Sequence, residues 1–372
     1  MTAIPEGTVS VGPAAETASA GRGPSGVPIR NIWHMLLYAW DRVDLIGQWR
    51  SDVEAAPTLN ALLASILAQL VQQRLRIGIG RDYDTVTNEI AAVRGRVLLG
   101  ESVRRMSFPR RRACCSFQVF TPDVPKNRII RGVLAKLVDD GDLGPDHSGR
   151  ELRSRLRRVV RDLEGVRLEP PRPGETGREL LRKHDRDYAL MLSICQLLIR
   201  HEMPTESSGV ANGFVAEKTT LVLSAIYEKF VARFFRHQLS EWRVTAQPRW
   251  RWPTETPSDH LPSLSPDLLL EHRGDARVIV LDTKFTADVL HPGQWDTLRF
   301  KREHLFQIYA YLRSQEHRSE SFLAATGVLL YPTVRHAVSE CVEIHGHRIR
   351  WETVDLARPW QEIEERLLAI PR

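Results

Sequence analysis

Helical and alternating patterns of apolar residues divide the chain into two blocks of predicted elements. In the first block, apolar residues recur at helical spacing over 58–75, 126–138 and 185–201, whereas 85–118 has the pattern of strands. Residues 202–209 are polar and rich in turn formers, which predicts a domain boundary between the blocks. The first block is therefore predicted to be an α+β domain.

The second block has the pattern of an α/β domain in which a mixed central sheet is flanked by helices. We divide the 372 residues into a disordered tail over 1–26, an N-terminal domain over 27–205 and a second domain over 210–372. The elements predicted in the second domain are helices over 221–235, 305–312 and 360–368, and strands over 265–271, 277–282, 324–331 and 340–344.

Two carboxylates and an amine are predicted to converge at one end of this sheet. The two strands that flank the turn at 273–276 should form an antiparallel hairpin. The start of the first strand then lies opposite the end of the second, so Asp267 and Asp282 are neighbours. Because side chains alternate along a strand, Lys284 shares the face of Asp282, and Thr283 points away. Such a pair of carboxylates suits a hard divalent cation.

Two predicted helices bring further polar residues to the same end of the sheet. Glu228 lies in the middle of the helix over 221–235, from which a carboxylate can reach a metal. Gln307 and Tyr311 are four residues apart and share one face of the helix over 305–312, where they can order the site or contact a phosphate. The alternative interpretation is a surface hairpin that ends in Asp and Lys by chance.

The order of these motifs resembles that of the PD-(D/E)XK nuclease superfamily: Glu on a helix, Pro-Asp, Asp-x-Lys, and then Gln-x-x-x-Tyr on a helix. The wider chain resembles McrC, the nuclease subunit of McrBC restriction systems, over residues 27–335. Thr283 departs from the pattern, since a small apolar residue commonly occupies that position, and residues 141–179 carry no recognisable resemblance. Outside the nuclease motifs, the stretches that carry the resemblance are Ile29–Trp40, Arg94–Val97 and Pro122–Ile130.

The resemblance implies an endodeoxyribonuclease of the PD-(D/E)XK type that depends on Mg²⁺, or on Mn²⁺ in its place. It implies an McrB-like AAA+ GTPase as partner, docked on residues 27–205, and modified double-stranded DNA as substrate. The expected context is DNA restriction and phage defence in the cytoplasm. The implied site consists of Asp267, Asp282 and Glu228 as metal ligands, Lys284 as the residue that orients water or stabilises charge, and Gln307 and Tyr311 as positioning residues.

Charge also points to an acidic partner. The chain has 52 Lys and Arg residues against 46 Asp and Glu residues, a formal net charge of +6. Arginines concentrate over 94–112, and we predict that Arg110, Arg111 and Arg112 contact nucleic acid or the partner protein. The alternative for this segment is a salt-bridged surface. A second group of arginines over 150–161 is interpreted as a solvated helix face, because acidic residues flank it.

Other kinds of protein and site are disfavoured. No apolar run approaches the roughly 20 residues that span a bilayer, so no membrane association is expected. The sequence lacks a G-x-x-x-x-G-K-[ST] motif, so any nucleotide hydrolysis must come from another chain. The four cysteines have no C-x-x-C spacing, and His345 and His347 are interpreted as part of a solvated edge strand rather than as a metal pair.

Two other functions are compatible with the sequence. The first is a non-catalytic subunit that clamps DNA or activates the GTPase while it keeps the nuclease fold. The second is a stand-alone RecB-like repair nuclease, which Gln307 and Tyr311 favour. The intact set of Asp267, Asp282 and Lys284 argues against the first, and a neighbouring gene for an AAA+ GTPase would argue against the second.

Overall fold

The chain divides into two units that interleave along the sequence. We call the unit from Ala56 to Ser207 the middle unit, and the unit that combines the residues up to Ala55 with those from Ser208 onward the split unit. The predicted tail, apart from Gly26, and the predicted boundary at 202–209, apart from Glu202, lie outside the described residues. No described helix is both long and apolar enough to cross a membrane. The computed structural model describes residues 26–172, 186–202, 211–256, 258–286, 289–292, 298–334 and 337–372.

The middle unit is mainly helical, and the split unit is built around a sheet. The helices predicted over 58–75, 126–138 and 185–201 are confirmed with small shifts at their ends. In chain order the elements are α1 (Ile29–Ala39), α2 (Arg50–Ala55), α3 (Leu59–Ile77), β1 (Asp82–Ile90), β2 (Arg96–Val97), α4 (Leu99–Arg104), β3 (Ala113–Thr121), α5 (Pro125–Asp139), α6 (His147–Asp162), α7 (Arg186–Glu202), α8 (Ala211–Gln238), β4 (Trp242–Ala246), β5 (Leu268–His272), β6 (Val278–Thr283), β7 (Leu290–Pro292), β8 (Leu298–Phe300), α9 (Arg302–Gln315), α10 (Glu320–Leu323), β9 (Thr326–Thr333), β10 (Ser339–Ile344), β11 (His347–Asp355) and α11 (Trp360–Ala369).

The middle unit combines its helices with a three-stranded antiparallel sheet of order β1-β3-β2. Side-chain caps define the starts of two helices. The Thr58 hydroxyl accepts a hydrogen bond from the backbone N–H of Ala61 at 3.1 Å, and the Asp146 carboxylate accepts one from Gly149 at 2.9 Å. The predicted α+β character of this segment is therefore present, with the arginine-rich stretch over 150–161 inside α6.

A six-stranded mixed sheet forms the centre of the split unit. Its order is β10-β11-β9-β6-β5-β4, in which β9 runs parallel to β6 and β11 and the other neighbours are antiparallel. Helices α8, α9 and α11 contact β4, β9 and β11, respectively. The predicted mixed sheet flanked by helices is confirmed. The long strand β11 was not predicted.

Helix α9 lies unusually close to the sheet because a glycine faces it. A Cβ atom at Gly327 of β9 would lie 2.8 Å from Cγ1 of Ile308 and 2.9 Å from Cδ1 of Leu312. Ile308 and Leu312 are fully buried in the layer between α9 and the sheet. This close packing brings Gln307 of α9 to the end of β6, where it contacts Lys284.

Helix α1 belongs to the split unit, although the sequence analysis grouped it with residues 27–205. The buried Asn31 side chain donates hydrogen bonds to the carbonyl oxygens of Leu356 and Arg358, at 2.8 and 2.9 Å. The ring of Tyr38 contacts the rings of Phe230 and Phe234 in α8. Apolar periodicity shows that α1 has a face to bury but does not show which distant surface covers it.

His347 differs from its predicted place on a solvated edge. It is fully buried at the start of β11, whereas His345 and Gly346 form the turn from β10. One ring nitrogen of His347 contacts the carbonyl oxygen of Ala325 at 2.9 Å, and the other contacts the Glu316 carboxylate at 2.8 Å. The sequence pattern does not show this buried role, because the contacts of His347, Ala325 and Glu316, come from other parts of the chain.

Candidate active site

The hairpin of β5 and β6 places two aspartates side by side. Leu268 of β5 is paired with Leu281 of β6, so the preceding Asp267 lies next to the following Asp282. This arrangement confirms the predicted antiparallel register. Because β6 is an inner strand between β5 and β9, Asp282 is 2% exposed. A carboxylate at such a position is removed from water and must find compensation in the protein or in a ligand.

Lys284 is held by a chain of directed contacts. Its ammonium group contacts Oδ2 of Asp282 as an ion pair. It also donates a hydrogen bond to Oε1 of Gln307 at 2.6 Å. The Gln307 amide then donates to the Tyr311 hydroxyl at 2.8 Å, and that hydroxyl donates to the backbone oxygen of Ser265 at 3.2 Å. The chain orients the Gln307 amide and thereby the Lys284 ammonium.

Thr283 takes part in this site. Its hydroxyl and its backbone N–H both donate to Oδ2 of Asp267, at 2.6 and 2.7 Å. The prediction that this side chain points away from the carboxylates is therefore wrong. Thr283 lies within the ladder of β6 with β9, but Asp267 precedes β5, so alternation along β5 does not fix where its carboxylate points. The Asp267 carboxylate accepts the hydrogen bond from the Thr283 backbone N–H that a backbone carbonyl oxygen would accept if the ladder of β5 and β6 continued.

Glu228 reaches the same region from α8 and is held by Gln247. The Gln247 amide donates to Oε1 of Glu228 at 2.6 Å. Glu228 is partly buried, and its carboxylate is close enough to Asp267 and Asp282 to affect the protonation of Asp282. The structure therefore brings together Asp267, Asp282, Lys284, Glu228, Gln307 and Tyr311, and their chemical roles stay predictions.

The carboxylates repel one another. Burial raises the pKa of the Asp282 carboxyl, and the negative charges of Asp267 and Glu228 raise it further, while the Lys284 ammonium offsets only part of this effect. Burial also raises the pKa of Glu228, and the charge of Asp267 adds to that rise. Concentrated negative charge of this kind, in a partly buried position, favours the binding of a cation.

The donor set fits a hard divalent cation, with one limit. All three carboxylates offer oxygen ligands, and Oδ2 of the buried Asp282 contacts the Lys284 ammonium. In the described part of the chain, no group of three or more His, Cys, Asp or Glu side chains is arranged to hold a metal ion. The arrangement thus suits Mg²⁺, which binds one or two carboxylates and keeps several waters, better than a metal that needs a closed protein cage.

A family model described as "McrBC 5-methylcytosine restriction system component" matches residues 9–332. The chain belongs to the McrBC family. A curated relative, the type IV methyl-directed restriction enzyme EcoKMcrBC of Escherichia coli (strain K12), is 27% identical over 350 residues. The alignment covers 92% of this chain and 97% of that protein.

A solved structure shows the same fold as this McrBC family member. It is the half-complex of Thermococcus gammatolerans McrB AAA+ hexamers with bound McrC, and it superimposes with a TM-score of 0.52 at 17% sequence identity. The superposition covers 92% of this chain and 76% of that chain. At this identity the likeness concerns the fold alone.

The three predicted contact arginines of this McrBC family member lie in the middle unit. Arg110 ends a 3₁₀ turn, pairs with Glu89 at 3.2 Å and donates to the backbone oxygen of Arg105 at 2.7 Å. Arg111 and Arg112 are exposed. Arg110 thus has a local structural role, and the role of all three in binding stays a prediction.

Two polar residues at the site were not among the predicted ones. Thr283 was visible in the Asp-Thr-Lys triplet but was assigned to the opposite face by alternation. Gln247 follows β4 with no motif around it, and only its contact with Glu228 places it at the site. A search for polar residues directly after predicted strands would have included Gln247 among many others.

Proposed function

We propose that this McrBC family member is the metal-dependent, PD-(D/E)XK-type endonuclease subunit of a modification-dependent restriction complex. The observation that carries the proposal is the meeting of Asp267, Asp282 and Lys284 at one end of the sheet, with Glu228 nearby. The family match favours a restriction role over a stand-alone repair role. The substrate is double-stranded DNA that carries modified bases, and the bond hydrolysed is a phosphodiester.

Each residue of the site has a distinct part in the proposed hydrolysis. Asp282 and Asp267 would hold Mg²⁺, or Mn²⁺ in its place, with Glu228 in support. When bound, the metal would supply Lewis acidity for the attack of water on the scissile phosphate. Lys284 orients the attacking water or stabilises the negative charge that develops on the phosphate. Gln307 and Tyr311 keep the Lys284 ammonium in place through the hydrogen bonds described above.

We further propose that the chain works with an McrB-like AAA+ GTPase in the cytoplasm, in defence against phage. In the Thermococcus structure, McrC is bound to McrB AAA+ hexamers, and the E. coli relative is a methyl-directed restriction enzyme. The middle unit supports a docking role, because α4 and the turn after it expose Leu99, Val103 and Met106 next to arginines. Exposed apolar side chains with a charged rim are typical of interaction surfaces.

The test is cleavage of a methylated duplex by the complex reconstituted with its GTPase, GTP and Mg²⁺. Asp282→Ala should lower cleavage by orders of magnitude while the melting temperature shows that the fold persists. Lys284→Arg should lower it by about 100-fold, because the planar guanidinium does not fit the compact position between Asp282 and Gln307. Glu343→Ala, at an exposed position of β10, is the matched control and should cleave normally.

Normal cleavage by the Asp282 variant would remove that residue from the site. Full activity of the Lys284→Arg variant would mean that the lysine contributes charge without a positional requirement. If the wild-type chain stimulates the GTPase but never cuts any methylated duplex, the non-catalytic clamp is the correct function.

A further inference from the structure

Gln247 has a backbone conformation that ordinary side chains rarely adopt. Its φ angle is +46°, in the left-handed region, where β4 ends. Its backbone N–H donates to the carbonyl oxygen of Asp267 at 2.8 Å, which continues the pairing of β4 with β5 by one residue. The backbone of Gln247 is thereby attached to one of the two aspartates of the candidate active site.

The side chain of Gln247 is attached to a different element. Its amide nitrogen donates to Oε1 of Glu228 in α8 at 2.6 Å. This single residue therefore connects the helix that carries Glu228 with the strand end that carries Asp267. The only hydrogen bond that Glu228 accepts from a described side chain falls on Oε1, so Oε2 remains for another ligand.

We propose that Gln247 is a positioning residue that holds Glu228 and Asp267 in register for divalent-cation binding. The inference rests on the metal-dependent function proposed above and deepens it. A metal-binding carboxylate needs a second polar group to fix its orientation, and removal of such a group typically lowers metal affinity by about 10- to 100-fold. The amide suits this task because its NH₂ group is a neutral donor that leaves the negative charge of Glu228 available to the cation.

Stability alone does not explain a glutamine at this position. The side chain is exposed, so it contributes little to the core. A glycine would adopt the left-handed conformation without the steric cost that a Cβ atom brings. The position therefore favours glycine for folding, whereas the contact with Glu228 requires the amide.

The experiment measures Mn²⁺ binding to the full chain by titration calorimetry, without DNA and without the partner. Gln247→Gly removes the amide and relieves the backbone, and Gln247→Met removes the amide but keeps the volume of the side chain. Both variants should bind Mn²⁺ at least about 10-fold more weakly than the wild type. The glycine variant should melt at the same temperature or higher, which a merely structural role would not allow.

Gln238→Ala is the matched control. Gln238 is also a glutamine of the α8 region whose amide is engaged, since it donates to the Tyr38 hydroxyl at 3.3 Å. It lies ten residues from Glu228, about 15 Å along the helix. This variant should bind Mn²⁺ like the wild type. An equal loss in the Gln238 and Gln247 variants would overturn the inference, because the effect would then be a general one of α8.

Cleavage by the reconstituted complex provides the second readout. For both Gln247 variants, the Mg²⁺ concentration that gives half-maximal cleavage should rise about 10-fold, and most of the rate should return at saturating Mg²⁺. Wild-type Mn²⁺ affinity in both variants would overturn the role of Gln247 and leave the nuclease proposal intact. If the wild type binds Mn²⁺ no better than the Asp282→Ala variant, the metal site itself is wrong and the inference fails with it.

Discussion

At the scale of single residues, the candidate site depends on how each carboxylate oxygen is used. Oδ2 of Asp267 accepts two hydrogen bonds from Thr283, Oε1 of Glu228 accepts one from Gln247, and Oδ2 of Asp282 faces the Lys284 ammonium. In each case a group of the chain engages one oxygen of the carboxylate. The arrangement orients the three carboxylates without neutralising them all, which is what a cation site requires.

Substitutions of Thr283 measure how much its hydroxyl contributes to the orientation of the Asp267 carboxylate. Thr283→Ala removes the hydroxyl donor but keeps the backbone N–H that bonds to Asp267. We expect cleavage to fall by less than about 10-fold, because one of the two hydrogen bonds remains. Thr283→Ser keeps both donors and should cleave like the wild type. Complete loss of cleavage in the alanine variant would show that the hydroxyl contacts the metal or the DNA directly.

At the scale of elements, one buried histidine connects the β10–β11 hairpin with the segment between α9 and β9. His347 at the start of β11 contacts Ala325, just before β9, and Glu316, just after α9. Both contacts are with oxygen atoms, a backbone carbonyl on one side and a carboxylate on the other. Burial opposes ionisation of Glu316, but hydrogen bonds from His347 and Arg313 outweigh it, and the pKa of the Glu316 carboxyl lies below its usual value.

Glu316 should therefore stabilise the fold in a pH-dependent way. Because its pKa is lower in the folded protein, its contribution is present above the unfolded pKa, about 4.3, and is lost as the pH falls through the folded pKa. Glu316→Gln should lower the free energy of unfolding at pH 7 by about 1–2 kcal/mol. Thermal melts at a series of pH values should show this gap closing below about pH 4.

The comparison for Glu316 is Glu343→Gln, at an exposed position of the neighbouring strand β10. Its melting temperature should follow that of the wild type at every pH. A gap between wild type and Glu316→Gln that stays constant down to low pH would mean that the variant acts through packing rather than through charge.

At the scale of the whole molecule, the split unit is assembled from two separated parts of the chain. Helix α1 packs on α8, and its Asn31 caps the backbone after β11. The middle unit is inserted in sequence between α1 and α8. The part of the chain from Ser208 onward, which carries the candidate site, therefore lacks one piece of the hydrophobic core of the split unit, namely α1.

A fragment that begins at Ser208 should fold poorly. It lacks α1, and the aromatic residues Phe230 and Phe234, which α1 helps to bury, would face water. We expect aggregation or a broad, low melting transition. A second fragment, in which residues 27–55 are joined to 208–372 through a flexible Gly/Ser linker, should melt cooperatively at a higher temperature. Equal melting of the two fragments would show that α1 is dispensable for the core.

The two units should also have separable functions, cleavage in the split unit and stimulation of the GTPase in the middle unit. Asp267→Ala should abolish cleavage and leave stimulation of the partner's GTP hydrolysis intact, because the change removes a carboxylate of the candidate site only. Arg111→Glu combined with Arg112→Glu should weaken stimulation and leave the carboxylate site formed. Raising the salt concentration should weaken the wild-type complex more than the charge-reversed one. Arg110 is better left unchanged, since it pairs with Glu89.

GTP turnover of the partner, titrated with each variant, is the measurement. If the Asp267→Ala variant loses stimulation of the partner's GTP hydrolysis as completely as it loses cleavage, the split unit takes part in the coupling to the GTPase. Unchanged stimulation by the double arginine variant would remove Arg111 and Arg112 from the docking surface.

Several helices and the register of the β5–β6 hairpin were predictable from the sequence. Apolar periodicity and turn residues are local signals, so α3, α5, α7 and the pair β5–β6 were predicted within a few residues. Once that pairing was known, the nearness of Asp267 and Asp282 followed from the geometry of antiparallel strands. The order of motifs then pointed to the family that the comparison shows.

The tertiary structure alone decided which distant surfaces meet. It placed α1 on α8, buried His347 in contact with Ala325 and Glu316, and brought Thr283 and Gln247 to carboxylates that periodicity does not connect with them. Gln247 and Asp267 lie just outside regular strands, and there alternation no longer predicts the direction of a side chain. A local pattern shows that a helix has an apolar face to bury or that a side chain has a hydrogen-bond donor to pair. Only the folded chain shows which distant residue is the partner.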